Sequence, residues 1–158
     1  MLSAPPSRSP SSWQSHLVHL LVRARMRPYA HQPIDPTWVR QNMGRPRGAR
    51  RMMARSTGAL MELLPRTGLW PGGERIHWPG ATMDAPVVLY LHGGGFIACS
   101  PETHRPLVGS LVRRIVGTAF VPAYRLAPEH PFPAALDDAR DAYRFLLAQG
   151  IPPSRLVI

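Results

Sequence analysis

The most informative absences in this 158-residue sequence are lysine, paired cysteines and long apolar runs. Without lysine the chain cannot form a phosphate-binding P-loop, which needs that residue directly after its glycines. Cys99 is the single cysteine, so no internal disulfide can form and an oxidising compartment is not required. No apolar run reaches the roughly 18 residues that a transmembrane helix needs. We therefore expect a cytoplasmic protein without a transmembrane segment.

Acidic residues are scarce in the first part of the chain. Residues 1 to 66 contain eleven Arg against two acidic residues, whereas residues 67 to 158 contain eight Arg against seven. A cationic segment of this kind could bind nucleic acid or an anionic membrane surface through counterion release. Because all nineteen basic residues are Arg and proline is also frequent, we interpret the excess as a compositional bias and expect no nucleic-acid partner.

Helical patterns run through this basic first part. Ser12 predicts an N-cap for a helix with apolar residues on one face, and Pro28 predicts its end. Pro36 opens a second short helix, and a third apolar stripe with helical spacing runs from Ala49 to Leu64. We therefore predict a basic, helical segment over residues 12 to 66.

Beyond residue 66, short apolar segments alternate with helical ones. The predicted strands are Glu74 to Trp78, Val87 to Leu91, Ala119 to Val121 and a last one that begins at Leu156. The predicted helices run from Pro101 to a stop at Gly117 and from Ala134 to Ala148. Such alternation is typical of a doubly wound, mostly parallel α/β sheet, because each parallel pairing needs a crossover connection. The predicted organisation is a mobile N-terminus over residues 1 to 11, the helical segment over 12 to 66, and an α/β core over 67 to 158.

Three consecutive glycines, Gly93 to Gly95, directly follow a predicted buried strand and stand between His92 and Phe96. Glycine backbone adopts conformations that other residues resist, so bare amides can face a ligand. In acyl transfer, such amides stabilise the charge on the former carbonyl oxygen by about 3 to 4 kcal/mol per donor. A dinucleotide-binding fingerprint would need a glycine where Ala98 stands. The strand, loop and helix order therefore favours an oxyanion-hole loop.

A second segment, Tyr124 to Asp138, reads YRLAPEHPFPAALDD and follows the next predicted strand. Together with His92-Gly93-Gly94-Gly95-Phe96, it resembles the hormone-sensitive-lipase-like esterases, a family of the α/β-hydrolase fold. The resemblance spans residues 74 to 158. It implies a serine carboxylic-ester hydrolase that acts on small or short-acyl esters, with the N-terminal helical segment contributing to a cap over the pocket.

The resemblance also implies roles for the residues of the first motif. Gly94 and Gly95 would donate their amides to the oxyanion hole, and Gly93 would permit the turn. Phe96 would line the substrate pocket, and His92 would support the loop. His92 cannot be the catalytic base, because the family's triad follows the order Ser, acid, His and His92 precedes all three.

Other polar residues are expected to be structural. Arg125 and Glu129 predict a charge pair that fixes the proline-rich connection. Asp138 lies near the start of a predicted helix, where an acid suits the helix dipole. His104 is expected on a solvated surface loop, and Cys99 is expected to be a small packing residue. No group of His, Cys and carboxylates has metal-ligand spacing, so we expect neither a metal nor a cofactor.

The nucleophile elbow of this family, Gly-x-Ser-x-Gly, does not occur in the sequence. In the family it follows the strand that begins here at Leu156, and the acid and histidine of the triad come later. We therefore predict an incomplete α/β-hydrolase that supplies the oxyanion hole and is inactive alone. The alternatives are a non-catalytic small-molecule-binding module on the same fold, as in the gibberellin receptors, and a basic nucleic-acid or membrane binder through residues 1 to 66.

Overall fold

The computed structural model describes residues 13–26, 35–43 and 57–158. The chain divides into two compact units, Met1–Ile34 and Asp35–Ile158. The first unit contains helix α1 (Trp13–Met26), which confirms the first predicted helix, while residues 1 to 11 and the N-cap Ser12 lie outside the described residues. None of the described helices is long and apolar enough to cross a membrane.

The second unit contains two antiparallel and three parallel strands with crossover helices. Its elements are α2 (Pro36–Met43), β1 (Leu60–Leu64), β2 (Gly73–His77), β3 (Val87–Leu89), α3 (Pro101–Ile115), β4 (Thr118–Pro122), α4 (Ala134–Ala148), a short 3-10 helix (Pro153–Arg155) and β5 (Leu156–Val157). The five strands form one sheet in the order β1-β2-β4-β3-β5. Strand β3 pairs in parallel with β4 and β5, whereas β1 with β2 and β2 with β4 are antiparallel. The predicted α/β class is therefore confirmed, with a mixed sheet.

Strand β1 corrects one prediction. The helical stripe expected from Ala49 to Leu64 is wrong at its carboxyl end, because Leu60 to Leu64 pair with β2, with Leu60 opposite His77. Residues 44 to 56 of that stripe lie outside the described residues. The sequence Leu-Met-Glu-Leu-Leu has good intrinsic helix propensity, but such a preference is weak and tertiary pairing overrides it. The edge of β2 supplies that pairing.

The core lies on both faces of the sheet. On one face, Val108 and Val112 of α3 pack against a cluster that includes Val88 of β3. On the other face, Leu146 of α4 packs with Leu89, the next residue of β3. Successive side chains of a strand point to opposite faces, so a strand covered on both sides is apolar throughout. This explains the continuous apolar run that marked β3 in the sequence.

A buried ion pair fastens α3 to the sheet. Glu74 of β2 is 4% exposed, and Arg105 of α3 donates to both of its carboxylate oxygens, from Nε at 2.9 Å and from Nη2 at 2.6 Å. The hydrogen bond to Glu74 raises the pKa of Arg105 above its ordinary value. Bidentate pairs of this kind fix geometry as well as adding energy. They hold the amino end of α3 beside β2.

We expect Arg105→Met to lower the free energy of unfolding by about 3 kcal/mol, because it leaves the carboxylate of Glu74 buried without its partner. The matched control is Arg75→Met, which removes an exposed ion pair with Glu62 at 3.5 Å and is expected to cost less than about 1 kcal/mol. Urea unfolding followed by circular dichroism measures both. Equal losses in the two variants would contradict the structural role of the buried pair.

Candidate active site

The loop that joins β3 to α3, residues 90 to 100, is here called the glycine loop. It leaves the sheet with one last hydrogen bond, from the amide of Tyr90 to the carbonyl of Phe120 at 2.8 Å. Further along, the amides of Ile97 and Ala98 both donate to the carbonyl of Gly94, at 3.2 Å and 3.1 Å. The loop therefore closes on itself around Gly94 before α3 begins.

The three glycines have different conformational roles. Gly94 has φ 133°, and a Cβ there would lie 2.0 Å from the carbonyl oxygen of Ala98. Gly95 is left-handed with φ 62°, although a Cβ there would meet nothing closer than Ile97 Cγ1 at 4.0 Å. Gly93 has no positive φ, and its Cβ would meet only His104 Nε2 at 3.9 Å. The turn that the sequence analysis assigned to Gly93 is thus formed by Gly94 and Gly95.

Phe96 continues the turn in an unfavourable conformation. Its φ of 61° is left-handed, a region that costs a residue other than glycine about 1 to 3 kcal/mol. Its carbonyl accepts a hydrogen bond from the amide of Ala127 at 2.8 Å, and its ring is 65% exposed. The loop is therefore tied to the segment after β4, while the aromatic ring at its tip stays accessible.

His92 is a buried residue in the first part of the glycine loop. It is 4% exposed, its Nδ1 lies 2.9 Å from the carbonyl oxygen of Gly93, and its ring stacks on Tyr124 with centroids 4.1 Å apart. The hydroxyl of Tyr124 donates to the carbonyl of His92. The ring of His104 lies on α3, with its centroid 5.7 Å from that of His92, so the prediction that His104 occupies a solvated loop is wrong. Helix α3 carries this ring towards the loop.

Burial controls the protonation of the two stacked rings. It lowers the pKa of His92 below its ordinary value; the hydrogen bond to the Gly93 carbonyl opposes this shift and His104 adds to it. Burial also raises the pKa of Tyr124 to about 12. A carbonyl accepts from Nδ1, so the neutral tautomer of His92 that fits carries its proton there. Both rings are thus uncharged near neutral pH.

The segment after β4 contains an ion pair that differs from the predicted one. Arg125 binds Asp138 instead of Glu129: its amide donates to Oδ2 at 2.8 Å and its Nε donates to the same oxygen at 2.9 Å. Burial alone would raise the pKa of Asp138, but the hydrogen bonds from Arg125 hold it below its ordinary value. Asp138 is therefore a buried partner of Arg125, because α4 carries it back beneath the connection.

Glu129 pairs with a residue that the sequence analysis did not single out, Arg40 of α2. The guanidinium donates to Glu129 Oε1 and Oε2, both at 2.6 Å. It also donates to the carbonyls of Ile97 and Ala127, each at 2.7 Å. No local pattern identifies such a residue, because its partners lie far along the chain.

Within the described ranges, no group of three or more His, Cys, Asp or Glu residues could hold a metal ion. The structure brings together backbone amides, neutral rings and two ion pairs around a loop at the carboxyl end of a parallel strand.

Comparison with known proteins agrees with this geometry. A family model described as the alpha/beta hydrolase fold matches residues 88–158. Esterase LipI of Mycobacterium tuberculosis is 45% identical over 86 residues, which cover 51% of this chain and 26% of LipI. A crystal structure of EstE5 soaked with p-nitrophenyl butyrate superimposes with a TM-score of 0.69 at 30% identity, covering 92% of this chain and 47% of that chain. A hormone-sensitive lipase from a metagenome library superimposes with a TM-score of 0.65 at 31% identity, covering 90% of this chain and 45% of that chain.

The chain is similar to the hormone-sensitive-lipase-like esterases. The recognition made from the two motifs and the α/β-hydrolase fold are therefore both confirmed. The chain spans about half the length of the solved structures that it matches. The glycine loop and the segment from Tyr124 to Asp138 both fall inside the part that the family model covers.

We expect Gly94→Ala to lower the free energy of unfolding by at least about 2 kcal/mol, since its Cβ would collide with the Ala98 carbonyl. The control is Gly93→Ala, whose Cβ would meet only His104 Nε2, in ordinary van der Waals contact at 3.9 Å, and which should cost less than about 1 kcal/mol. Urea unfolding compares the two. Two variants of equal stability would show that the turn does not depend on Gly94.

We also expect acidification to destabilise the fold through His92. The unfolded chain has the ordinary histidine pKa of about 6.5, whereas burial lowers the folded value. As the pH falls below the ordinary pKa, the unfolded state binds the proton first, so the free energy of unfolding decreases. Between about pH 7.5 and about pH 5.5, the free energy of unfolding should therefore decrease more for the wild type than for His92→Asn, whose side-chain amide keeps a hydrogen-bond donor. An identical decrease in both would contradict this assignment.

Proposed function

We propose that this chain supplies the oxyanion hole of a serine carboxylic-ester hydrolase. One observation carries the proposal: in the described part of the chain, no backbone carbonyl accepts a hydrogen bond from the amide of Gly94 or Gly95. These two donors sit in a closed turn whose carbonyl acceptor is already satisfied by Ile97 and Ala98. They are therefore available to an oxygen that gains negative charge.

The chemistry follows from this arrangement. When a serine attacks an ester carbonyl, the carbonyl oxygen becomes an anion, and each preorganised amide that faces it lowers the barrier by about 3 to 4 kcal/mol. Preorganisation matters because no reorientation is needed as the charge forms. The turn around Gly94 restrains both amides before substrate arrives. Gly94 and Gly95 are therefore the donors, and His92 supports the loop.

The surroundings of the loop suit this role. The rings of His92 and Tyr124 are neutral near neutral pH because burial shifts their pKa values. Buried, uncharged neighbours leave a hydrogen bond to an oxyanion less screened than it would be in water. The exposed ring of Phe96 offers an apolar surface for the acyl or alcohol group of a small ester. The relative soaked with p-nitrophenyl butyrate supports a short-acyl substrate.

The nucleophile is not supplied by the 158 residues, since no Gly-x-Ser-x-Gly occurs among them. We therefore expect the purified chain to show no hydrolysis of p-nitrophenyl butyrate above the uncatalysed rate. Robust turnover by the chain alone would contradict this part of the proposal.

A fusion tests the oxyanion role directly. Residues 1 to 158 are joined to the part of EstE5 that follows its equivalent of β5, and kcat for p-nitrophenyl butyrate is measured per folded protein. We expect Gly94→Ala to lower kcat about 100-fold, because the collision of its Cβ with the Ala98 carbonyl displaces an oxyanion donor. Gly93→Ala should change kcat less than about threefold.

Two results would contradict the proposal. One is an active fusion whose kcat does not respond to Gly94→Ala. The other is a fusion that melts cooperatively yet has no turnover; saturable binding of butyrate by that protein would instead indicate a non-catalytic binding module.

A further inference from the structure

Arg40 of α2 contacts both chain segments that meet at the glycine loop. Its Nε donates to the carbonyl of Ile97 at 2.7 Å, and its Nη2 donates to the carbonyl of Ala127 at 2.7 Å. Glu129 holds the other edge of the guanidinium, with Oε1 and Oε2 both at 2.6 Å from its Nη atoms. The planar fork of an arginine can reach a carboxylate and two carbonyls at once, which an ammonium group cannot.

The position of these contacts matters for the loop. The amide of Ala127 donates to the carbonyl of Phe96 at 2.8 Å, and this is the backbone bond that ties the tip of the loop to the segment after β4. On the glycine loop, Arg40 donates to the carbonyl of Ile97, the residue after Phe96. On the segment after β4, it donates to the carbonyl of Ala127. It therefore bridges the two segments beside that single bond. Phe96 is held there in its left-handed conformation.

The charge pair itself adds little to overall stability. The side chains of Arg40 and Glu129 are 34% and 56% exposed, and exposed ion pairs contribute weakly to folding. Hydrogen bonding to Arg40 lowers the pKa of Glu129 to about 2, so the carboxylate is ionised across the pH range of ester hydrolysis. The pair is thus a local, charged contact that restrains one loop, more than a determinant of the whole fold.

We propose that Arg40 is a positioning residue that holds the glycine loop in the conformation in which Gly94 and Gly95 act as donors. This inference rests on the proposed oxyanion role of those amides. It assigns a function in the reaction to α2, which precedes the first strand of the sheet in the sequence. Arg40 touches neither substrate nor nucleophile and acts only through the loop.

Amide hydrogen exchange in the 158-residue chain tests the positioning role without requiring activity. The reporters are Ile97 and Ala98, whose amides close the turn, and Ala127, whose amide ties Phe96. The reference amides are Tyr90 and Thr118, which bond within the sheet. In Arg40→Ala we expect the reporter amides to exchange at least about tenfold faster. Local opening of the loop costs less free energy there, because the charge-assisted hydrogen bonds of Arg40 are already absent. The reference amides should change less than about twofold.

Three further variants separate positioning from charge and from general stability. Arg140→Ala removes an arginine whose Nη2 pairs with Asp137 at 2.6 Å in an exposed contact, and it should leave the reporters unchanged. Arg40→Lys keeps the charge but loses the fork and should not restore protection. Glu129→Gln keeps Arg40 and should accelerate the same reporters less, by about threefold, so the test stands even if Arg40→Ala unfolds.

The fusion with EstE5 links the loop to catalysis. There we expect Arg40→Ala to lower kcat about tenfold, the effect of misplacing catalytic donors, with KM changed less than about twofold. Arg140→Ala should have no effect.

The positioning role would be overturned if the reporter amides were unchanged in Arg40→Ala, or if reporter and reference amides exchanged faster to the same extent. Faster exchange with an unchanged kcat would overturn its role in the reaction. A folded but inactive fusion would count against the proposed function alone, and the exchange data would still decide whether Arg40 positions the loop.

Discussion

The glycine loop depends on one close approach of two backbone segments. A Cβ at residue 94 would lie 2.0 Å from the carbonyl oxygen of Ala98, so the turn can close only with glycine at that position. Closure uses the carbonyl of Gly94 as acceptor for two amides further along the chain. Among the described residues, no backbone carbonyl accepts a hydrogen bond from the amides of Gly94 or Gly95. The donors of the proposed oxyanion hole are therefore a geometric consequence of the turn.

The rest of the fold holds the two ends of this turn. Strand β3 is covered on both faces by apolar clusters, which fixes the amino end of the loop. Helix α3 fixes the carboxyl end, because the buried pair of Glu74 and Arg105 fastens it to β2. Left-handed conformations at Phe96 and Cys99 each cost free energy, so a loop with this shape needs such anchors. Stability elsewhere in the fold thus offsets local strain at the site.

Much of this could be predicted from the sequence because the signals are local. The motif within the glycine loop is five consecutive residues, His92 to Phe96, and both β3 and α4 have patterns that their own residues determine. Strand β1 could not be predicted, because Leu60 to Leu64 become a strand only through the edge of β2. The prediction of an ion pair between Arg125 and Glu129 was wrong for a related reason, although the two residues are close in the sequence. Arg125 pairs with Asp138, and Glu129 pairs with Arg40, which is 89 positions away. Local spacing carries no information about such partners.

The position of Arg40 also bears on the basic character of the first part of the chain. An arginine whose guanidinium donates four hydrogen bonds to Ile97, Ala127 and Glu129 is not available to a phosphate polymer. Its charge is neutralised by a carboxylate that stays ionised down to about pH 2. The positive charge of Arg40 near the glycine loop is therefore compensated locally. Under the proposed function, Arg40 shapes the loop and the neutral amides of Gly94 and Gly95 stabilise the oxyanion.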